Sequence, residues 1–177
     1  WHVVDSSTAV DSIVQSGPVA TLAGDHFSKH DDVYVLVTPN DTIEDGVPST
    51  SEILAISNSL PTTPGLAISP DPGETEEDLV CTIHTASTDA DGDEITYSYS
   101  WVSPEEDVLL SGQNTEALVD TLDGNEVTEG VWACEVTSHD GEESAAGVGS
   151  ASVDVLPCVG EEACPALSCS DVLDLDN

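Results

Sequence analysis

Three aspartates at alternate positions, Asp89, Asp91 and Asp93, surround a glycine in the segment TDADGDE. Carboxylates spaced in this way converge on one hard cation, since calcium gathers about six to eight oxygen ligands. Asp140 in SHDG, Glu94 and Asn58 are further oxygen donors for the same cage, and the competing reading is a solvated acidic turn. Calcium is the one cofactor these residues suggest.

The five cysteines offer a different chemistry. Cys81 and Cys134 sit far apart in strand-like contexts, whereas Cys158, Cys164 and Cys169 crowd the tail. Neither group contains a CxxC pair, a haem attachment or a histidine at zinc-finger spacing, so disulfides formed in an oxidising compartment are the better reading. An odd count leaves one thiol for a partner elsewhere, or free. Catalytic arrangements lack parts: His2, His26, His30, His84 and His139 stand in separate contexts without HExxH or a nucleophile motif, and no glycine-rich phosphate loop is present. The expectation is a protein that is not an enzyme. Asn40-Asp41-Thr42 forms a glycosylation sequon of a kind that also arises by chance.

Charge narrows the partners. Thirty-six acidic residues face a single base, Lys29, for a formal net charge of −35. Nucleic acid and anionic membrane surfaces both demand clustered Lys and Arg, so neither is an expected partner. Such self-repulsion opposes compaction unless cations screen or bind it, which favours a saline or calcium-containing medium. No run approaches the roughly 20 apolar residues of a membrane span, and no signal peptide opens the chain. With no Met anywhere, Trp1 reads as the start of an internal fragment or of a processed product.

The elements that would position these groups are strands. Aromatics make up only 4% of the chain, so its core must come mainly from Val, Leu, Ile and Ala. The chain also repeats itself. Trp1 aligns with Trp101, Leu22 with Leu122, Tyr34 with Trp132, Leu36 with Cys134, Asp41 with Asp140 and Pro61 with Pro157, giving a repeat of about a hundred residues. Residues 61–157 form a complete unit, 1–60 match only its later part and lack the first two strands, and 158–177 are a Cys-rich tail. In the complete unit, alternation and turn residues place strands at 65–70, 78–87, 95–102, 130–138 and 150–157, with shorter ones between. Leu79, Cys81 and Ile83 fall on one face. Trp101, Trp132, Tyr34 and Leu36 are expected in the cores.

Cys81, Trp101 and Cys134 follow the Cys, Trp, Cys order of immunoglobulin domains, with an aromatic two residues before the second Cys. Together with PTTPGLAISPDP, STDADGDEITYSYSW and GVWACEVTSHDG, they make residues 61–157 resemble the immunoglobulin-like, PKD-like repeats of large bacterial and archaeal surface proteins. The resemblance implies an all-β fold of immunoglobulin-like β-sandwich repeats, the first incomplete, and a Cys81–Cys134 bridge between the sheets; two buried free thiols are the alternative. Such a bridge closes a loop of about fifty residues, worth roughly 4 kcal/mol on the chain-entropy account. TDADGDE also resembles the opening of an EF-hand loop, but Ser100 holds the twelfth place where Glu belongs, so the expected site is one at a sandwich end. CSDVLDLDN resembles the opening of fibrinogen-like C-terminal domains. That likeness implies an external partner for Cys169 and leaves Cys158 and Cys164 to bond each other.

The expectation for function is an extracellular, cell-surface module, structural or adhesive, acting as a spacer stiffened by disulfide and calcium. Its expected partners are neighbouring repeats or further copies of itself, joined by strand complementation. The alternatives are an adhesin binding a glycan or protein, and an accessory domain of a secreted hydrolase.

Overall fold

The computed structural model describes residues 1–158. Cys164 and Cys169 lie outside the described residues, and with them the expected Cys158–Cys164 bridge and the external role of Cys169. The backbone N–H of Cys158 donates to Thr75 Oγ1 at 3.0 Å. The fold is all-β, with 3-10 turns at Gly24–His26 and Gly124–Glu126. It divides into two units, Trp1–Ser59 and the chain from Leu60 onward.

The first unit holds β1 (His2–Val4), β2 (Asp11–Ile13), β3 (Asp32–Tyr34), β4 (Leu36–Val37), β5 (Ser49–Thr50) and β6 (Leu54–Ala55). Its main sheet is antiparallel in the order β2-β1-β3-β6, and β4 pairs with β5.

The second unit holds β7 (Gly65–Ser69), β8 (Gly73–Glu74), β9 (Leu79–Thr85), β10 (Thr96–Val102), β11 (Val108–Leu110), β12 (Val119–Leu122), β13 (Gly130–His139) and β14 (Gly149–Leu156). One sheet runs β11-β10-β13-β14-β8 and the other β12-β9-β7. This is the two-sheet order of an immunoglobulin-like sandwich. Alternate residues of β9, β10 and β13 point inward, so that Leu79, Cys81, Ile83, Tyr97, Tyr99, Trp101, Trp132, Cys134 and Val136 form one core. Period-two patterning on both layers is what sets this packing. Each fully buried large apolar side chain contributes about 1.5–3 kcal/mol. Cys81 and Cys134 are joined as a disulfide across the layers, their Cα atoms 6.3 Å apart. Trp101, fully buried, sits opposite Cys134 in the β10–β13 ladder.

The internal repeat is visible in topology, since β2-β1-β3-β6 reproduces β11-β10-β13-β14. Its register corrects two expected core positions. His2 pairs with Tyr34, and Trp101 with Cys134. With Trp1 equivalent to Trp101, extending the β1–β3 ladder by one residue puts Val35, not Leu36, in the place of Cys134, and Val33, not Tyr34, in that of Trp132. A one-residue slip sends every side chain to the opposite face. Accordingly Val33 is buried, Leu36 is 42% exposed, and Tyr34 is half-buried with its ring stacked on His2 at 4.6 Å.

Candidate metal centre

The loop between β9 and β10 is held at its base before it turns. Thr62 N–H donates to the Thr88 carbonyl at 2.9 Å, and Thr88 N–H donates to Thr62 Oγ1 at 2.8 Å. Ser87 N–H donates to the hydroxyl of Tyr97 at 3.0 Å, which ties the loop to the core through β10. Ser138 Oγ on β13 also donates to the Thr62 carbonyl, at 3.0 Å. One stretch of backbone therefore gathers the β9–β10 loop and the end of β13 at the same end of the sandwich.

Within the loop, Asp89 Oδ1 accepts from Asp91 N–H at 2.7 Å and from Asp93 N–H at 3.4 Å. Gly92 adopts φ +82°, a left-handed conformation that side-chain-bearing residues rarely take, and so completes the reversal. The outcome is that Asp89, Asp91 and Asp93 each present a carboxylate oxygen within 4.8 Å of the others. Asp89 Oδ2 is buried and has no hydrogen-bond partner. Like charges at such distances repel by roughly 1–3 kcal/mol per pair at effective dielectrics between those of water and a protein surface. A bound cation would reverse that term and satisfy the orphaned oxygen. The cluster could hold a metal ion, and its all-oxygen donor set suits a hard one.

Asp140 does not belong to this group. It is buried, and its Oδ1 accepts from Glu142 N–H at 2.8 Å and Glu143 N–H at 2.7 Å, closing the turn between β13 and β14. Asp41 makes the same turn in the first unit, its Oδ1 accepting from Ile43 N–H at 2.9 Å and Glu44 N–H at 3.0 Å. The repeat carried the signal: an aspartate shared by both units, one of them without any TDADGD loop, is a turn residue. Glu94 is exposed and also outside the group, and Asn58 Oδ1 accepts from Lys29 Nζ at 3.2 Å within the first unit. Sequence reasoning missed the Thr62–Thr88 clamp, because threonines facing each other across 26 residues leave no local pattern.

Among the described residues, no helix is long and apolar enough to cross a membrane. No protein-family model matches the chain. No curated protein matches it either.

Proposed function

We propose that this chain is an extracellular, non-enzymatic structural segment of a surface protein or fibre, in which tandem sandwiches act as spacers and calcium at Asp89, Asp91 and Asp93 stiffens one end. The observation that carries this reading is the duplication of one sheet order along the chain, with the complete copy bolted by the Cys81–Cys134 disulfide. Serial modules set distance, and a cross-sheet bridge suits an oxidising exterior where folding is not rescued. The buried, unpartnered Asp89 Oδ2 supports cation binding, and calcium is the hard cation abundant outside cells. Protease treatment of intact producing cells tests the location. Cleavage of the chain without lysis is expected; complete protection, with cysteines reduced, would sink the reading.

A second reading, self-association by strand addition, is favoured by one feature of the first unit. Val3 and Val33 are its only buried apolar side chains among the described residues, while Val10, Ile13, Val19, Val37, Ile53 and Leu54 are exposed. A cleft of about 770 Å³ is lined by Trp1, Ile13, Val19, Val35 and Val37 among others. So small a core supports little independent stability, and strands from another copy would cover it. Sedimentation of the full chain over a wide concentration range checks this. A concentration-independent monomer would exclude it.

A further inference from the structure

The outer face of the first unit carries a side-chain cluster that neither the core nor the acidic loop uses. His2 on β1 lies directly opposite Tyr34 on β3, and Asp11 comes from β2 on the other flank of β1. Three adjacent strands thus deliver an imidazole, a phenol and a carboxylate to one spot. His2 Nδ1 is 3.0 Å from Asp11 Oδ1 and 3.1 Å from Tyr34 Oη, and Tyr34 Oη is 2.5 Å from Asp11 Oδ2. The His2 and Tyr34 rings stack with an interplanar angle of 15°.

The sheet itself does not need these residues. The second unit builds the same ladder with Val102 opposite Ala133 at the equivalent positions. What the first unit adds is a cluster of four donor atoms, with Asp11 turning Oδ1 to His2 Nδ1 and Oδ2 to Tyr34 Oη, at separations of 2.5, 3.0 and 3.1 Å. An ion about 2.0–2.2 Å from each of three such atoms sits just above their plane, as on one face of a coordination polyhedron. A mixed nitrogen and oxygen set is borderline in softness, unlike the all-oxygen set at Asp89, Asp91 and Asp93, and it favours first-row transition metals over calcium. Donors on paired strands are also held more firmly than donors on a loop.

The geometry points to a transition-metal site formed by His2 Nδ1, Asp11 and Tyr34 Oη, with Cu2+ the ion that such nitrogen and oxygen donors bind most strongly. The metal replaces the proton shared between Tyr34 and Asp11, and binding releases that proton to solvent as the phenol becomes a phenolate ligand. No oxidation or reduction is involved.

The test titrates the full chain with CuCl2 in excess calcium, which occupies the hard acidic sites, and reads absorbance and heat together. One equivalent of copper is expected, with a phenolate-to-copper charge-transfer band. Asp11→Asn should weaken binding about tenfold or more, and Tyr34→Phe should remove the band. These two isosteric changes, which leave His2 in place, are the deciding arms. Copper binding that survives both unchanged, or that never reaches one equivalent on the unmodified chain, overturns the assignment.

Discussion

The indole Nε1 of Trp101 donates to Asp120 Oδ2 at 2.8 Å, linking β10 in one sheet to β12 in the other. Trp101 lies opposite Cys134 in its ladder, and Asp120 lies opposite Cys81 in its own. Two cross-strand pairs are therefore joined across the layers twice, once by the disulfide and once by a charge-assisted hydrogen bond. Ser111 Oγ, 2.7 Å from Asp120, gives the carboxylate a second donor. The buried tryptophan is thus satisfied, as buried indole N–H groups must be.

From this tie follows a prediction about Trp101. Trp101→Phe should destabilise the second unit by about 1.5–3 kcal/mol or more, since it removes a bond to a charged acceptor and leaves unfilled volume. Asp120→Asn retains an acceptor and should cost less. Urea denaturation of both single variants and the double variant would show the coupling; additive effects would mean that the bond does not stabilise the sandwich.

The disulfide should matter more than any one contact. Replacing Cys81 and Cys134 together by Ala should cost roughly 4 kcal/mol, because the open chain regains the freedom of a 53-residue loop. Guanidinium unfolding of the double variant checks this. The loss should appear only in the transition of the second unit.

Alkaline pH should act through Tyr99. Burial, then the negative charge of Asp120, pushes its phenol up to about 12. The folded state thus favours the neutral phenol, and the unfolded chain ionises it from about pH 10. Stability from this source is complete below about pH 10 and is lost as pH rises toward 12. Tyrosinate absorbance compared between the unmodified chain and Tyr99→Phe should show that the phenol lost is a late-titrating one, and the same difference should move to lower pH in an Asp120→Asn background.

The repeat supplies its own control for close packing. Gly24 and Gly124 open equivalent 3-10 turns, yet a Cβ on Gly124 would collide with the backbone carbonyl of Glu76, whereas one on Gly24 meets nothing within 4 Å. Gly124→Ala should therefore lower stability by about 1–3 kcal/mol, and Gly24→Ala by far less. Thermal unfolding of the two variants distinguishes them.

Much of the second unit was legible because its strands alternate cleanly. Tyr97, Tyr99 and Trp101, then Trp132, Cys134 and Val136, mark a buried face by period two, and the structure buries each of them. The stretch through β3 and β4 offers no such signal: Val33, Tyr34, Val35, Leu36 and Val37 run without a polar interruption, which leaves parity undetermined and lets the alignment slip by one residue. β8 was invisible because two residues, Gly73 and Glu74, pair in parallel with β14 through main-chain bonds that side chains do not specify. At the loop, alternate spacing around Gly92 identified Asp89, Asp91 and Asp93. Asp140 enters the expected cage because its loop after β13 belongs to the same sandwich end, whereas its carboxylate closes a turn that its twin, Asp41, repeats.

Scanning calorimetry of the chain with and without calcium, repeated on Asp89→Asn, tests the central claim most directly. A single ligand at a hundredfold excess over its Kd adds about 2.7 kcal/mol, which for a module of this size raises Tm by roughly 10 °C or more. The account predicts that rise in the unmodified chain and its loss in Asp89→Asn. Equal melting temperatures with and without calcium would contradict it.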